Sequence, residues 1–197
     1  MPRPNQSEER RKKLITEMAS AFAELGYRRT TTAELAKRCR VRENILYRLW
    51  PDKKAMFIAS IEYVFELSSE IWRDLVGGEG ADATSAERLL EYESRHHGEF
   101  GLYRIIFGGL SEADDSEIGA ALRRVYRRFL GFIERQIEAQ GNGAPRDGAL
   151  DPALAAWAFI GLGTVSNIGR ELKLLSPDVR AKLFREVGGR LLRAASK

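Results

Sequence analysis

One cysteine, Cys39, among 197 residues rules out an internal disulfide and any zinc site built on cysteines. Only six prolines occur, and the eighteen glycines show no period, so collagen-like and low-complexity chains are excluded. The two histidines, His96 and His97, are adjacent and would point to different faces of a helix, a poor metal pair. No phosphate-binding glycine loop, Ser-His-Asp arrangement or metal-ligand spacing occurs, so neither catalysis nor a cofactor is expected. No stretch approaches a membrane span, and the N-terminal residues show no signal-peptide apolar region. The expectation is a cytoplasmic chain with no membrane contact. Strand signals are nearly absent as well, with no Asn-Gly or Asp-Gly turn between alternating apolar runs.

What the sequence does hold is helical period and an uneven charge. The net charge is only +4, yet residues 1–54 carry fourteen Lys and Arg against seven Asp and Glu. The other 143 residues carry eighteen against twenty-one, a slightly acidic remainder. A basic head of this kind suits a polyanion, although a solvated, unevenly charged surface gives the same count. Leu14, Met18 and Phe22 repeat every four residues until Gly26 stops the helix. Thr31 with Glu34, and Thr84 with Glu87, read as capping boxes. Asp52 can cap a helix, while Asp151-Pro152 and Ser176-Pro177 each set a capping side chain before a first-turn proline. Breakers stand at Gly77–Gly80, at Gly98 and Gly101, and at Gly141–Pro145. Together these predict an all-α fold of about nine helices, near 8–25, 32–39, 43–50, 52–75, 84–97, 100–111, 115–140, 151–171 and 177–194.

Residues 32–49 predict a helix-turn-helix. Two short helices that meet steeply need apolar contacts and a small residue at the close approach. Leu35, Cys39, Val41, Leu46 and Leu49 supply the contacts, Ala36 the close approach, and Arg40, Val41 and Arg42 the turn. Arg42, Asn44, Ile45 and Arg48 then fall on or near the outer side of the second helix, where side chains can reach base edges in the major groove.

Three runs carry a resemblance: Phe22-Ala23-Glu24-Leu25-Gly26-Tyr27, Thr30-Thr31-Thr32-Ala33-Glu34-Leu35-Ala36, and Leu46-Tyr47-Arg48-Leu49-Trp50-Pro51-Asp52-Lys53. In order and spacing this stretch resembles the N-terminal domain of TetR-family transcriptional regulators. The resemblance implies three DNA-binding helices (residues 1–52) and a helical body (53–197) that binds a small molecule and dimerises. It implies phosphate contacts for Tyr47 and Lys53, although Tyr47 could equally pack on the first helix. Thr31 caps a helix whose N–H groups can also face phosphate. Arg42, Glu43, Asn44 and Arg48 would read bases. The turn departs from the family's Ala-Gly-Val-Ser, with Arg40 at the glycine position, where a left-handed conformation would cost about 1 kcal/mol. Glu43 could accept from a cytosine amino group or merely repel phosphate. The basic residues Arg3 and Arg10–Lys13 could reach phosphate or form a solvated face.

In the body, Ala156, Phe159, Ile160 and Gly163 on one helix, and Leu183, Val187 and Leu191 on the last, are the expected homodimer face. Packing within one chain would explain part of that pattern. Trp72, Tyr92, His96, Tyr103, Phe107, Tyr126 and Trp157 are the candidate liners of an effector pocket, apolar walls with polar tips. Glycines 98, 101, 108 and 109 flank a short central helix where ligand-driven movement would fit. The functional expectation is a homodimeric regulator, a repressor released from a palindromic double-stranded DNA operator by an unidentified small molecule. The rival is a small-molecule-binding helical protein whose head no longer reads DNA.

Overall fold

The computed structural model describes residues 6–77, 83–140 and 149–196; part of the first expected breaker, the whole of the last, and Arg3 lie outside them. The described residues are helical with no strand. The order is α1 (Gln6–Leu25), α2 (Thr32–Arg38), α3 (Glu43–Leu49), α4 (Lys53–Gly77), α5 (Ser85–His96), α6 (Tyr103–Leu110), α7 (Ser116–Gln140), α8 (Pro152–Glu171), α9 (Pro177–Leu183) and α10 (Gly189–Ser196). A π-helical turn, Phe184–Gly188, joins the last two, so the helix expected over 177–194 carries a bulge.

The helix ends follow local chemistry. Gly26 takes φ +76° and donates its N–H to the Phe22 carbonyl at 2.9 Å, which closes α1. Asp52 caps α4 through the Ala55 N–H at 2.7 Å. Asp151 and Ser176 cap α8 and α9, each before its proline. Thr84 and Glu87 form the full reciprocal box at the start of α5. The expected box at Thr31 is only half made. Thr31 accepts the Glu34 N–H at 3.2 Å, but Glu34 turns its carboxylate to Arg38 at 2.9 Å instead of reaching back.

The chain forms two compact units, and α4 and α7 contribute residues to both. The first holds residues 6–67 and 100–125. Its core brings Met18 and Phe22 of α1, Leu35 of α2 and Leu46 of α3 against Met56, Phe57 and Ile61 of α4, all essentially without solvent contact. Ile105 of α6 and Ile118, Ala121 and Val125 of α7 are buried in the same unit. The second unit holds residues 68–99 and 126–196. Ala86, Ile137, Ala155 and Leu192 centre its core, with Leu90, Ile133, Leu150 and Phe159 packed around them.

One expectation needs correction. Helix α8 is long and apolar enough to cross a membrane by length and composition alone, with a mean hydropathy of 1.2. Its inner face packs inside the second unit, where Ala155, Ala156, Leu162, Ser166 and Asn167 are buried.

Cys39 is buried at the α1–α2 contact, its Sγ facing the Leu14 carbonyl at 3.7 Å. Burial, with a smaller contribution from Glu17, pushes its thiol up to about 11. A thiol-specific reagent at pH 8 should therefore modify Cys39 very slowly in the native protein and rapidly in denaturant. Equal rates would place Cys39 outside the core.

Candidate nucleic-acid interface

Helices α2 and α3 meet through a turn in which the Val41 N–H reaches back to the Ala36 carbonyl at 2.9 Å. Leu35, Ala36, Cys39, Leu46 and Leu49 are buried at their junction, as the spacing predicts, and Val41 is half-buried. Arg40 adopts φ +53°, the left-handed conformation its position demands. The unusual residue therefore strains the turn without abolishing it.

With the apolar side turned inward, Arg42, Asn44 and Arg48 are left exposed, and none has a partner among the described residues. Three further side chains converge beside them. Tyr47 donates its hydroxyl to Thr32 Oγ1 at 3.2 Å, and Thr32 donates to Glu43 Oε2 at 2.8 Å. Thr32 was not among the expected site residues. The run of threonines at 30–32 was the only signal, and it did not say which hydroxyl meets α3. Thr31 is exposed and occupied in capping α2.

Lys53 differs most from its expected use. Its ammonium donates to the Tyr27 carbonyl at 3.0 Å and the Thr30 carbonyl at 3.1 Å, and it lies 4.4 Å from the centre of the Tyr27 ring. Tyr27 in turn stacks near Phe57, with centroids 4.7 Å apart, and Phe57 meets Phe22 edge-on at 5.0 Å. Lys53 thus ties the α1–α2 turn to the start of α4. Arg11 is likewise engaged inside the head, bonded to the Leu49 carbonyl and set over Trp50. Arg10, Lys12 and Lys13 remain exposed and unpaired among the described residues.

The same unit joins the head to the α6–α7 connection by charge. Arg28 meets Glu112 at 2.7 Å, and Lys54 meets Glu117 at 2.5 Å and Asp115 at 3.4 Å. The Ile118 N–H, helped by the Glu117 N–H and Lys54, holds the Asp115 carboxyl below the ordinary range.

The expected effector liners divide between the two units. Tyr103 and Phe107 of α6 lie edge-to-face at 5.7 Å in the first. In the second, Trp72 packs on Phe132 and Phe129 at 4.9 and 5.6 Å, and Tyr126 is half-buried. Tyr92 stacks on His96 at 4.6 Å, but His96 is exposed and bonds Glu99, and Trp157 is 56% exposed.

Its neighbour His97 points inward. Glu93 accepts from the Trp72 indole N–H at 2.8 Å and sits 2.7 Å from His97 Nδ1. His97 Nε2 lies 3.1 Å from both the Gly163 carbonyl and the Asn167 amide nitrogen. Arg170 bonds the carbonyls of His97 and Gly98. The Asn167 amide oxygen and Arg170 Nε are buried without a partner among the described residues. The four-residue spacing of Glu93 on α5 and His97 at its C-terminal cap is the available signal for this network.

Of the expected dimer residues, Ala156 is fully buried and Phe159 joins the core. Gly163 lies under the His97 ring, where a Cβ would come within 2.8 Å of it. Ile160, Leu183 and Leu191 are half-buried, and Val187 is exposed. The apolar stripe left open runs along the other side of α8, through Leu154, Trp157, Val165, Ile168 and Leu172.

Residues 15–60 match the model of the tetR family of bacterial regulatory proteins. No curated protein sequence matches the chain. Among solved structures, a TetR-family transcriptional regulator from Cytophaga hutchinsonii is similar over 97% of this chain and 96% of its own, at 20% identity and a TM-score of 0.76. NemR of E. coli in its reduced form is similar over 92% and 96%, at 15% identity and a TM-score of 0.74. FadR of Bacillus subtilis in complex with stearoyl-CoA is similar over 93% and 98%, at 17% identity and a TM-score of 0.69. At these identities the likeness establishes a shared fold.

The internal bonds of Lys53 lead to a distinguishable outcome. Lys53→Met keeps the apolar stem but leaves two carbonyls unsatisfied, and should cost about 1–3 kcal/mol of folding stability. DNA affinity should fall with an unchanged salt slope. A direct phosphate contact as well would instead lower the slope by about one.

Proposed function

The head of this chain belongs to the tetR family of bacterial regulatory proteins, and on that premise we propose that the protein is a ligand-responsive, sequence-specific DNA-binding regulator of transcription, acting as a repressor in the cytoplasm. The observation that carries this reading is the outer side of α3. Arg42, Asn44 and Arg48 stand exposed and uncommitted beside a fully packed junction, the arrangement a groove-reading helix requires. Residues 1–52 would hold the DNA-reading surface, with Thr31 near phosphate and the Tyr47 hydroxyl proton given to Thr32 instead, and residues 53–197 the effector and dimer functions.

A head this small reads few base pairs, so a homodimer on a palindrome is the expected working form. The open stripe on α8 supports it, since a row of large apolar side chains at helical spacing is costly to leave in water. Val179 and Val187 extend the apolar surface on the following helical run. The second copy would therefore seat on this outward face of α8, while Ala156 and Gly163 are already used within one chain.

The effector would be a small organic molecule held by the body. The unpartnered Asn167 oxygen and Arg170 Nε offer one acceptor and one donor near Trp72, Glu93 and His97, and the similar FadR fold holds stearoyl-CoA. Release would follow if the effector binds one conformation better than the DNA-competent one. The ion pairs from Arg28 and Lys54 to the α6–α7 connection are the local link through which a shift of α6 would reach the head.

Two measurements test this reading. Gel-shift titration against the DNA upstream of its own gene should give a sequence-specific complex whose affinity falls steeply with salt. Absence of specific binding at every salt concentration would sink it. Val165→Glu together with Trp157→Glu should turn a dimer into a monomer in light scattering while leaving the helical circular-dichroism signal in place. A double variant that stays dimeric would remove α8's outer face from the interface.

A further inference from the structure

We infer that Glu43 reads a cytosine, and that Tyr47 and Thr32 hold its carboxylate for that purpose. The inference rests on the regulator reading above and names what one position of its operator must be.

The argument starts from hydroxyl protons. Tyr47 has one, and it points at Thr32 Oγ1; Thr32 has one, and it points at Glu43 Oε2. The relay ends on the carboxylate, so the hydroxyl protons of Tyr47 and Thr32 are both committed within the head. The Glu43 side chain is exposed, and its Oε1 has no partner among the described residues. What the head presents beside Arg42, Asn44 and Arg48 is therefore an oriented atom that only accepts hydrogen bonds.

Such an atom can match few partners in DNA. Phosphate oxygens are acceptors and carry negative charge, so the carboxylate is repelled from the backbone. In the major groove, guanine presents two acceptors, and thymine an acceptor and a methyl group. Only cytosine and adenine offer an amino donor. In adenine that donor stands beside the N7 acceptor, whose lone pair faces a second carboxylate oxygen. Cytosine carries no acceptor on its own edge, only the guanine O6 across the pair on one side, whereas the adenine amino group is flanked by acceptors on both, so cytosine is the favoured base. The free guanidinium groups of Arg42 and Arg48 supply the positive charge that lets one acid enter an anionic groove. Repulsion of phosphate, the other use open to Glu43, does not require the Thr32 hydroxyl that fixes its partner oxygen or the Tyr47 hydroxyl that orients Thr32.

The test is selection of bound duplexes from a randomised DNA library, with the wild-type protein, Glu43→Gln and Thr32→Val. Wild type should select a consensus with one position per half-site fixed as cytosine. Glu43→Gln can donate as well as accept, and should move that position to adenine by roughly tenfold or more in relative preference. Thr32→Val should keep cytosine but discriminate several-fold less, since the carboxylate loses its anchor. A consensus that Glu43→Gln leaves unchanged overturns this inference alone. A wild-type protein that binds duplex DNA yet selects no sequence overturns the regulator reading, and this inference with it. Thermal melting of each variant followed by circular dichroism confirms that a folded head was compared.

Discussion

A seven-residue helix cannot hold itself together in water, because the cost of nucleating the first turn is recovered only over longer runs or by packing. Helices α2 and α3 are both of that length, so each depends on what it buries. Leu35 and Leu46 seal one against the other, and Met18 and Phe22 of α1 close the side of the cluster. Met56 and Phe57 of α4 complete it, and Lys53 bolts the α1–α2 turn to the same helix through two carbonyls and the Tyr27 ring. The orientation of Arg42, Glu43, Asn44 and Arg48 is a by-product of that burial. These residues face outward because no room remains for them inside.

The helices and most of their ends were legible because they follow from local chemistry. Thr84, Asp52, Asp151 and Ser176 cap where their spacing says they should, and Gly26 stops α1 with a positive φ. Arg40 occupies the strained turn that its departure from a glycine pattern implied. What the sequence hid is the choice among partners that are distant along the chain. Of two adjacent histidines, the inward one is His97, because α5 turns that face to Gly163 and Asn167. Helix α8 is apolar on two sides, and periodicity alone does not say which side meets its own chain. Here the side with the small residues Ala156, Gly163 and Gly169 does, since Gly163 admits the His97 ring and Gly169 the Leu175 side chain. Glu34 bonds Arg38 one helical turn on rather than reaching back to Thr31, and the Lys53 ammonium meets two carbonyls of the α1–α2 turn.

The basic surplus of the head also changes meaning once partners are assigned. Arg11, Arg28, Arg38, Lys53 and Lys54 all make bonds within the first unit. They serve cohesion and the link to α6 and α7 more than attraction to a polyanion. Arg28, Arg38 and Lys54 are offset by ion pairs, whereas Arg11 and Lys53 bond neutral carbonyls and keep their charge, as do the exposed Arg10, Lys12, Lys13, Arg42 and Arg48. A count of lysines and arginines therefore overstates the electrostatic footprint of this surface.

The left-handed Arg40 has a consequence for how the protein can change over generations. Its backbone conformation is one that glycine adopts without steric penalty, and its side chain is exposed rather than part of the packed junction. The position thus offers a compensating substitution that touches none of the base-facing side chains. A lineage that altered Glu43 or Asn44 at some loss of folding stability could recover the loss at residue 40. Binding preference and fold can drift separately in this head, and the strained turn is what uncouples them.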